Sequence, residues 1–199
     1  MINIIRNFLE DEEYNLNEFD NKVILYKEKA NHFPEDYIEI EKEILTGIFT
    51  VYEIHRDARQ IKLETKDEEE ASICATILYK KLFDNVVNRV KARHIRNYIR
   101  SGQSEKALRC SIECFDRSVY SIGYEDPMKI SLMQIGDKVD VKFGGEYLAE
   151  SATLCRGYVV LYNYCEKLAY ISAFYDRIQN QFKCIINREK IFKWYILGI

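Results

Sequence analysis

The stretch that most constrains this chain is IFTVYEIHRDARQIKLETKDEEEASICATILYKKLF, residues 48–83, where the hydrophobic period changes without a break. IFTVYEIH (48–55) and QIKLET (60–65) are β-branched and aromatic runs around the polar RDAR, the order of a hairpin. Asp67 followed three residues later by Glu70 resembles a capping box. Beyond it Ala71, Cys74, Ile77, Leu78, Leu82 and Val86 recur at helical spacing. A hairpin that runs straight into an amphipathic helix must bury one sheet face on that helix, so the expected class is α+β.

The remaining chain is read against that unit. Ile2, Ile5, Phe8 and Leu9 predict a short amphipathic helix over 2–13, and NKVILYKEK (21–29) and YIEIEKEI (37–44) predict strands. The helix starting at 68 is expected to continue to the stop signal Ser101-Gly102. SEKALRCSIECF (104–115) then reads as one more helix capped by Ser104, with SIECF open to a strand reading. After it come KISLMQI, KVDVKF, GYVVLYNY, KLAYISAFY, FKCIIN and KIFKWYI, short β-rich runs that predict an antiparallel meander or small barrel. The expected organisation is therefore an α/β lobe over 1–100, antiparallel strands on a long helix, and a mainly β lobe over 101–199 packed on the first.

Charge is segregated along the chain. The formal net charge is −3, yet residues 1–86 hold 11 Lys/Arg against 20 Asp/Glu, while 87–100 hold five basic residues and no acid. Acids gather at Glu10, Asp11, Glu12 and Glu13, at Glu35 to Glu43, and at Asp67, Glu68, Glu69 and Glu70. Such runs form solvated faces or fields that speed encounter with basic partners. Arg89, Lys91, Arg93, Arg96 and Arg100, at the end of a single 68–100 helix, would complement its dipole.

No catalytic constellation stands out. His32, His55 and His94 have no accompanying nucleophile motif, there is no phosphate-loop, dinucleotide or metalloprotease signature, and FGGEY (143–147) reads as a strand turn. Cys74, Cys110, Cys114, Cys155, Cys165 and Cys184 lack the spacing of a closed zinc site, so no metal and no cofactor is expected and the thiols should be reduced. The aromatics of 158–175, in surroundings of near-zero net charge, offer no groove for a phosphate backbone, so no nucleic-acid partner is expected. MINIIRNFLEDEEY lacks the shape of a signal peptide and no run is long enough to span a bilayer, so a cytoplasmic protein without membrane contact is expected.

Val51-Tyr52, Arg56 in the turn, Glu68 to Ala71 at the helix start, and Leu78 and Leu82 match a VYxxxRGxxxxxxxFxxExEAxxxLxxxL-like run. In this the segment, about residues 48–90, resembles small immunity proteins of bacterial polymorphic-toxin systems. The usual turn glycine is replaced here by Asp57-Ala58, and the usual aromatic before the cap by Leu63 or Thr65. The resemblance implies a non-enzymatic, stoichiometric inhibitor that occludes a cognate toxin domain. With the acidic runs it makes Glu10, Asp11, Glu12, Glu13, Glu68, Glu69 and Glu70 the first candidates for partner contact. Asp67 is set apart as a cap. A protein-binding or regulatory module unrelated to toxins, or an enzyme of unrecognised type, remains open.

Overall fold

The computed structural model describes residues 1–10, 12–27, 34–182 and 186–199, with the side chains of 181 and 182 also outside the description. Asp11, His32 and Cys184, named above, lie outside the described residues, as do the end of the 21–29 strand and the middle of FKCIIN. The chain divides into two compact units, Met1–Asp84 with Ile178–Ile199, and Asn85–Arg177. The class is α+β, with helices and two separate sheets.

In the first unit a five-stranded antiparallel meander runs β1 (Asn15–Phe19), β2 (Lys22–Tyr26), β3 (Asp36–Lys42), β4 (Phe49–His55), β5 (Ala58–Thr65), with neighbours in sequence paired in space. The β4–β5 turn places Arg56 and Asp57 at φ 47° and 67°, the left-handed pair that a two-residue hairpin demands, without the glycine that usually relieves it. Helix α2 (Glu68–Phe83) packs on this sheet, including both strands of the hairpin. Helices α1 (Ile2–Phe8) and α6 (Arg188–Ile196) pack on α2 in turn. Covered on several sides, α2 is buried at every position from Ala71 to Lys80. The polar groups that this entails are satisfied locally: Ser72 and Thr76 donate to the carbonyls of Glu68 (2.6 Å) and Ser72 (2.9 Å) one turn back.

Asp67 caps α2, its carboxylate accepting from the N–H groups of Glu69 (2.8 Å) and Glu70 (3.2 Å). The reciprocal half of the expected capping box is not made, since Glu70 pairs with Lys190 instead. Nor does the helix reach residue 100. It ends at Asp84, whose backbone is extended, and a new helix α3 (Arg89–Arg100) starts where the Asn88 side chain accepts from Val90 (3.1 Å) and Lys91 (3.2 Å). Two β-branched valines between Asx residues give the chain an alternative to continued helix.

The second unit holds α3, α4 (Ser104–Ile112) packed on it, and a four-stranded sheet of β6 (Tyr120–Ile122), β7 (Ile130–Ile135), β8 (Lys138–Phe143) and β9 (Glu146–Thr153). β6 lies parallel to β7 and the others are antiparallel, so the sheet is mixed and no barrel closes. FGGEY is the β8–β9 turn, with Gly144 and Gly145 both at positive φ. Ser104 is the first residue of α4, not its cap, which falls on Gln103 with no side-chain bond.

The largest correction concerns the expected β meander. GYVVLYNY and KLAYISAFY belong to one helix, α5 (Leu154–Phe182), and KIFKWYI belongs to α6. These runs are rich in strand formers, but their buried members Tyr158, Leu161, Tyr162, Cys165, Leu168, Ile171, Phe174 and Ile178 recur every three or four residues. Neither Gly nor Pro occurs between 158 and 197 to punctuate hairpins. Period overrode propensity. At Gly157 the helix passes so close to β8 that a Cβ would overlap Cγ2 of the buried Val139.

Candidate functional site

The acidic runs nominated from sequence are not one surface. The Met1 amino group pairs with Glu68 at the start of α2, whereas Lys80 near its end takes Glu12, and Tyr79 donates to the carbonyl of Glu13 (2.6 Å). Twelve residues of helix, about 18 Å, separate the two groups. Much of their charge is also matched within the unit. Lys80, 1% exposed, sits between Glu12 and Asp84 (3.4 Å), Lys27 approaches Glu13 (3.4 Å), and Glu70 holds Lys190. Glu69 is half-buried; Glu10 and Glu68 are exposed.

The acids of the sheet's outer face are matched too. Arg59 lies over the Tyr52 ring, 3.5 Å from its centroid, and donates to Glu39 and Glu41, and Lys22 is 3.1 Å from Glu39. Burial pulls the Arg59 pKa down, but the Glu41 hydrogen bond and the Glu39 charge outweigh it and hold it above its ordinary value. Glu39 is thereby buried on an open face of a sheet.

Another group of exposed charges lies at one end of the sheet. Antiparallel register puts the β1–β2 turn at Asp20-Asn21, the β3–β4 loop at 43–48 and the approach to α2 together there, and the Lys42 N–H donates to the Asn21 carbonyl (2.8 Å) to tie the two turns. The loop presents Ile44, 80% exposed, and Leu45, 94% exposed, while Phe19 at the end of β1 is 55% exposed. Around them stand the exposed acids Glu18, Asp20, Glu43 and Glu68, the last paired with the Met1 amino group, and the exposed cations Arg6 and Lys42. The apolar tip is held in place: Glu43 N–H donates to the Ile48 carbonyl and Gly47 N–H to the Glu43 carbonyl, both 2.8 Å, and the Thr46 hydroxyl donates to the Glu43 carboxylate. Gly47 at φ 70° supplies the left-handed turn that closes the loop.

Two open clefts flank this end, of about 490 Å³ beside Met1, Arg6, Phe19 and Glu68 and about 420 Å³ beside Glu43, Ile44 and Tyr52, and Asn21 and Lys42 line both. An apolar knob held by its own hydrogen bonds, with charges of both signs around it, offers anchors for a partner's pocket and charges that orient approach. Sequence reasoning assigned Ile44 to a strand and passed over Leu45. Two large apolar residues directly before Thr-Gly, between two strands, were the available signal.

Elsewhere, α3 and α4 enclose a cleft of about 660 Å³ lined by Tyr98, Gln103, Arg109, Cys110 and Glu113. Burial pushes the Cys110 thiol up, the opposite of what activates a nucleophile. His55 pairs with Asp36 at the edge of β3 and β4, and His94 is exposed on α3. Among the described residues no three or more His, Cys, Asp or Glu side chains are placed to share a metal ion, and no helix is long and apolar enough to cross a membrane. The described cysteines Cys74, Cys110, Cys114, Cys155 and Cys165 are free thiols. Comparison with protein-family models, curated proteins and solved structures gives no match to this chain.

Proposed function

We propose that this chain is a stoichiometric inhibitor of the immunity-protein kind, acting in the cytoplasm by occupancy and not by turnover. It seats a cognate toxin domain on the apolar end of the five-stranded sheet and thereby covers the toxin's active site. The observation that carries the reading is the loop 43–48, a hydrogen-bonded tip that holds Ile44 and Leu45 almost fully in water. Exposing them is unfavourable unless a partner covers them, and burying a Leu or Ile side chain is worth about 1.5–3 kcal/mol. A tip already fixed in shape loses little conformational freedom on docking. The partner's complementary face is an apolar pocket, and the 15 Lys/Arg against 21 Asp/Glu of the first unit attract a basic partner over distance.

The test is co-expression with each candidate toxin domain encoded near its gene, followed by isolation of the complex. The reading expects survival of the host, a one-to-one complex, and toxin activity lost in proportion to added protein. Survival without a complex, or a complex in which the toxin stays active, would contradict inhibition by occupancy; the latter points to a regulatory binding module.

A further inference from the structure

Helix α3 carries Arg89, Arg93, Arg96 and Arg100, all exposed. At about 100° per residue the four fall within an arc of about 60°, a stripe about 16 Å long. None of them has an ion-pair partner among the described residues, and Lys91, outside the stripe, is the one that meets Glu113 (3.1 Å). No acid occurs from Asn85 to Ser104. The dipole account suggested by a single 68–100 helix does not hold for α3, because Arg89 and Lys91 stand in its first turn, at the positive end, and only Arg100 lies in its last. Packing explains the stripe no better, since the buried side of the helix is Ala92 and Ile95.

We propose that α3 is a docking surface for the sugar-phosphate backbone of duplex DNA, held through these four arginines. Guanidinium forks match phosphate oxygens in pairs, and Asn97 beside the stripe adds a neutral hydrogen-bonding group. Other anionic surfaces fit less well. A membrane would need the apolar side of α3, and that side is buried in the unit where α4 packs. An acidic protein would need an apolar anchor amid the charges, whereas Val90, 59% exposed, stands at the flank. Single strands bind on stacking aromatics, and Tyr98 is half-buried under Lys106, 4.6 Å from its ring. The major groove of B-form DNA admits a helix, and that of A-form RNA does not. The expectation of no nucleic-acid partner considered the aromatics of 158–175; the stripe lies on a different helix.

The experiment is fluorescence anisotropy of a labelled duplex DNA of about 20 bp titrated with the full chain over about 0.05–0.2 M salt. Four phosphate contacts predict that log Kobs falls against log[salt] with a slope of about −3.6. R93A/R96A should halve that slope and weaken binding roughly tenfold or more at about 0.1 M salt, whereas R93K/R96K should keep the slope. An unchanged circular dichroism spectrum and melting curve establish that the variants are folded. An alanine variant with the wild-type slope would overturn the proposal. So would duplex RNA, single-stranded DNA or polyglutamate binding as tightly as the DNA duplex.

Discussion

The two units place charge in opposite ways. The first holds 15 Lys/Arg and 21 Asp/Glu, and its acidic runs close onto nearby cations: Glu12 on Lys80, Glu70 on Lys190, Glu39 and Glu41 on Arg59. The second holds 14 Lys/Arg and 11 Asp/Glu, a milder imbalance, yet leaves four arginines of one helix face without ion-pair partners among the described residues. A run of like charge in a sequence therefore says little about the field a partner meets. The deciding quantity is where the fold brings the opposite charge, and in the first unit the most exposed apolar side chains, Ile44 and Leu45, stand at the sheet end.

The largest effect is expected in alkali, and there the two units should behave alike. Burial raises the pKa of Cys74, Tyr79 and Tyr195 in the first unit and of Tyr162 and Cys165 in the second above ordinary values of 9.0 for Cys and 10.0 for Tyr. An acid with a raised folded pKa stabilises fully below its unfolded value and loses that stabilisation as pH rises toward the folded one. Stability should thus fall steeply above about pH 9. Lys81, lowered by burial, acts in the reverse sense, one group against five. Denaturant melts from pH 7 to 11 check this, and a flat profile would break the symmetry claimed for the two cores.

Single substitutions separate the units. Glu12→Ala leaves the buried Lys80 ammonium with Asp84 3.4 Å away and should cost about 2–3 kcal/mol. Lys80→Met should cost less, because the Glu12 and Asp84 it abandons can reach water. Next, Gly157→Ala drives a methyl into Val139 and should cost about 1–2 kcal/mol after the gain in helix propensity. Asp67→Ala, which removes the α2 cap, should cost about 1 kcal/mol. Arg93→Ala is expected within about 0.5 kcal/mol of wild type. Urea titrations rank all five, and an Arg93 cost rivalling that of Glu12 would mean that the stripe has a structural role after all.

What could be read from sequence followed the strength of local signals. The 48–65 hairpin and the start of α2 were legible because the period changes at a capped boundary. α5 and α6 were misread because Tyr, Val, Ile and Phe favour strands individually, and their helical spacing shows only over the whole run. The β3–β4 tip was missed because exposure of Ile44 and Leu45 depends on where the loop projects. The nominated acids were placed by charge alone, and the cations that answer them, Lys80 and Lys190, stand 68 and 120 residues away from their partners in the chain.

The most direct test of the account is stopped-flow association and dissociation of the proposed cognate toxin domain, comparing I44D/L45D with E18K/D20K at two ionic strengths. The account predicts that I44D/L45D weakens the complex on the order of 100-fold or more, mainly through faster dissociation. It predicts that charge reversal at Glu18 and Asp20 changes chiefly the association rate and its salt dependence. The opposite pattern, with tight binding by I44D/L45D and dissociation controlled by Glu18 and Asp20, would contradict it.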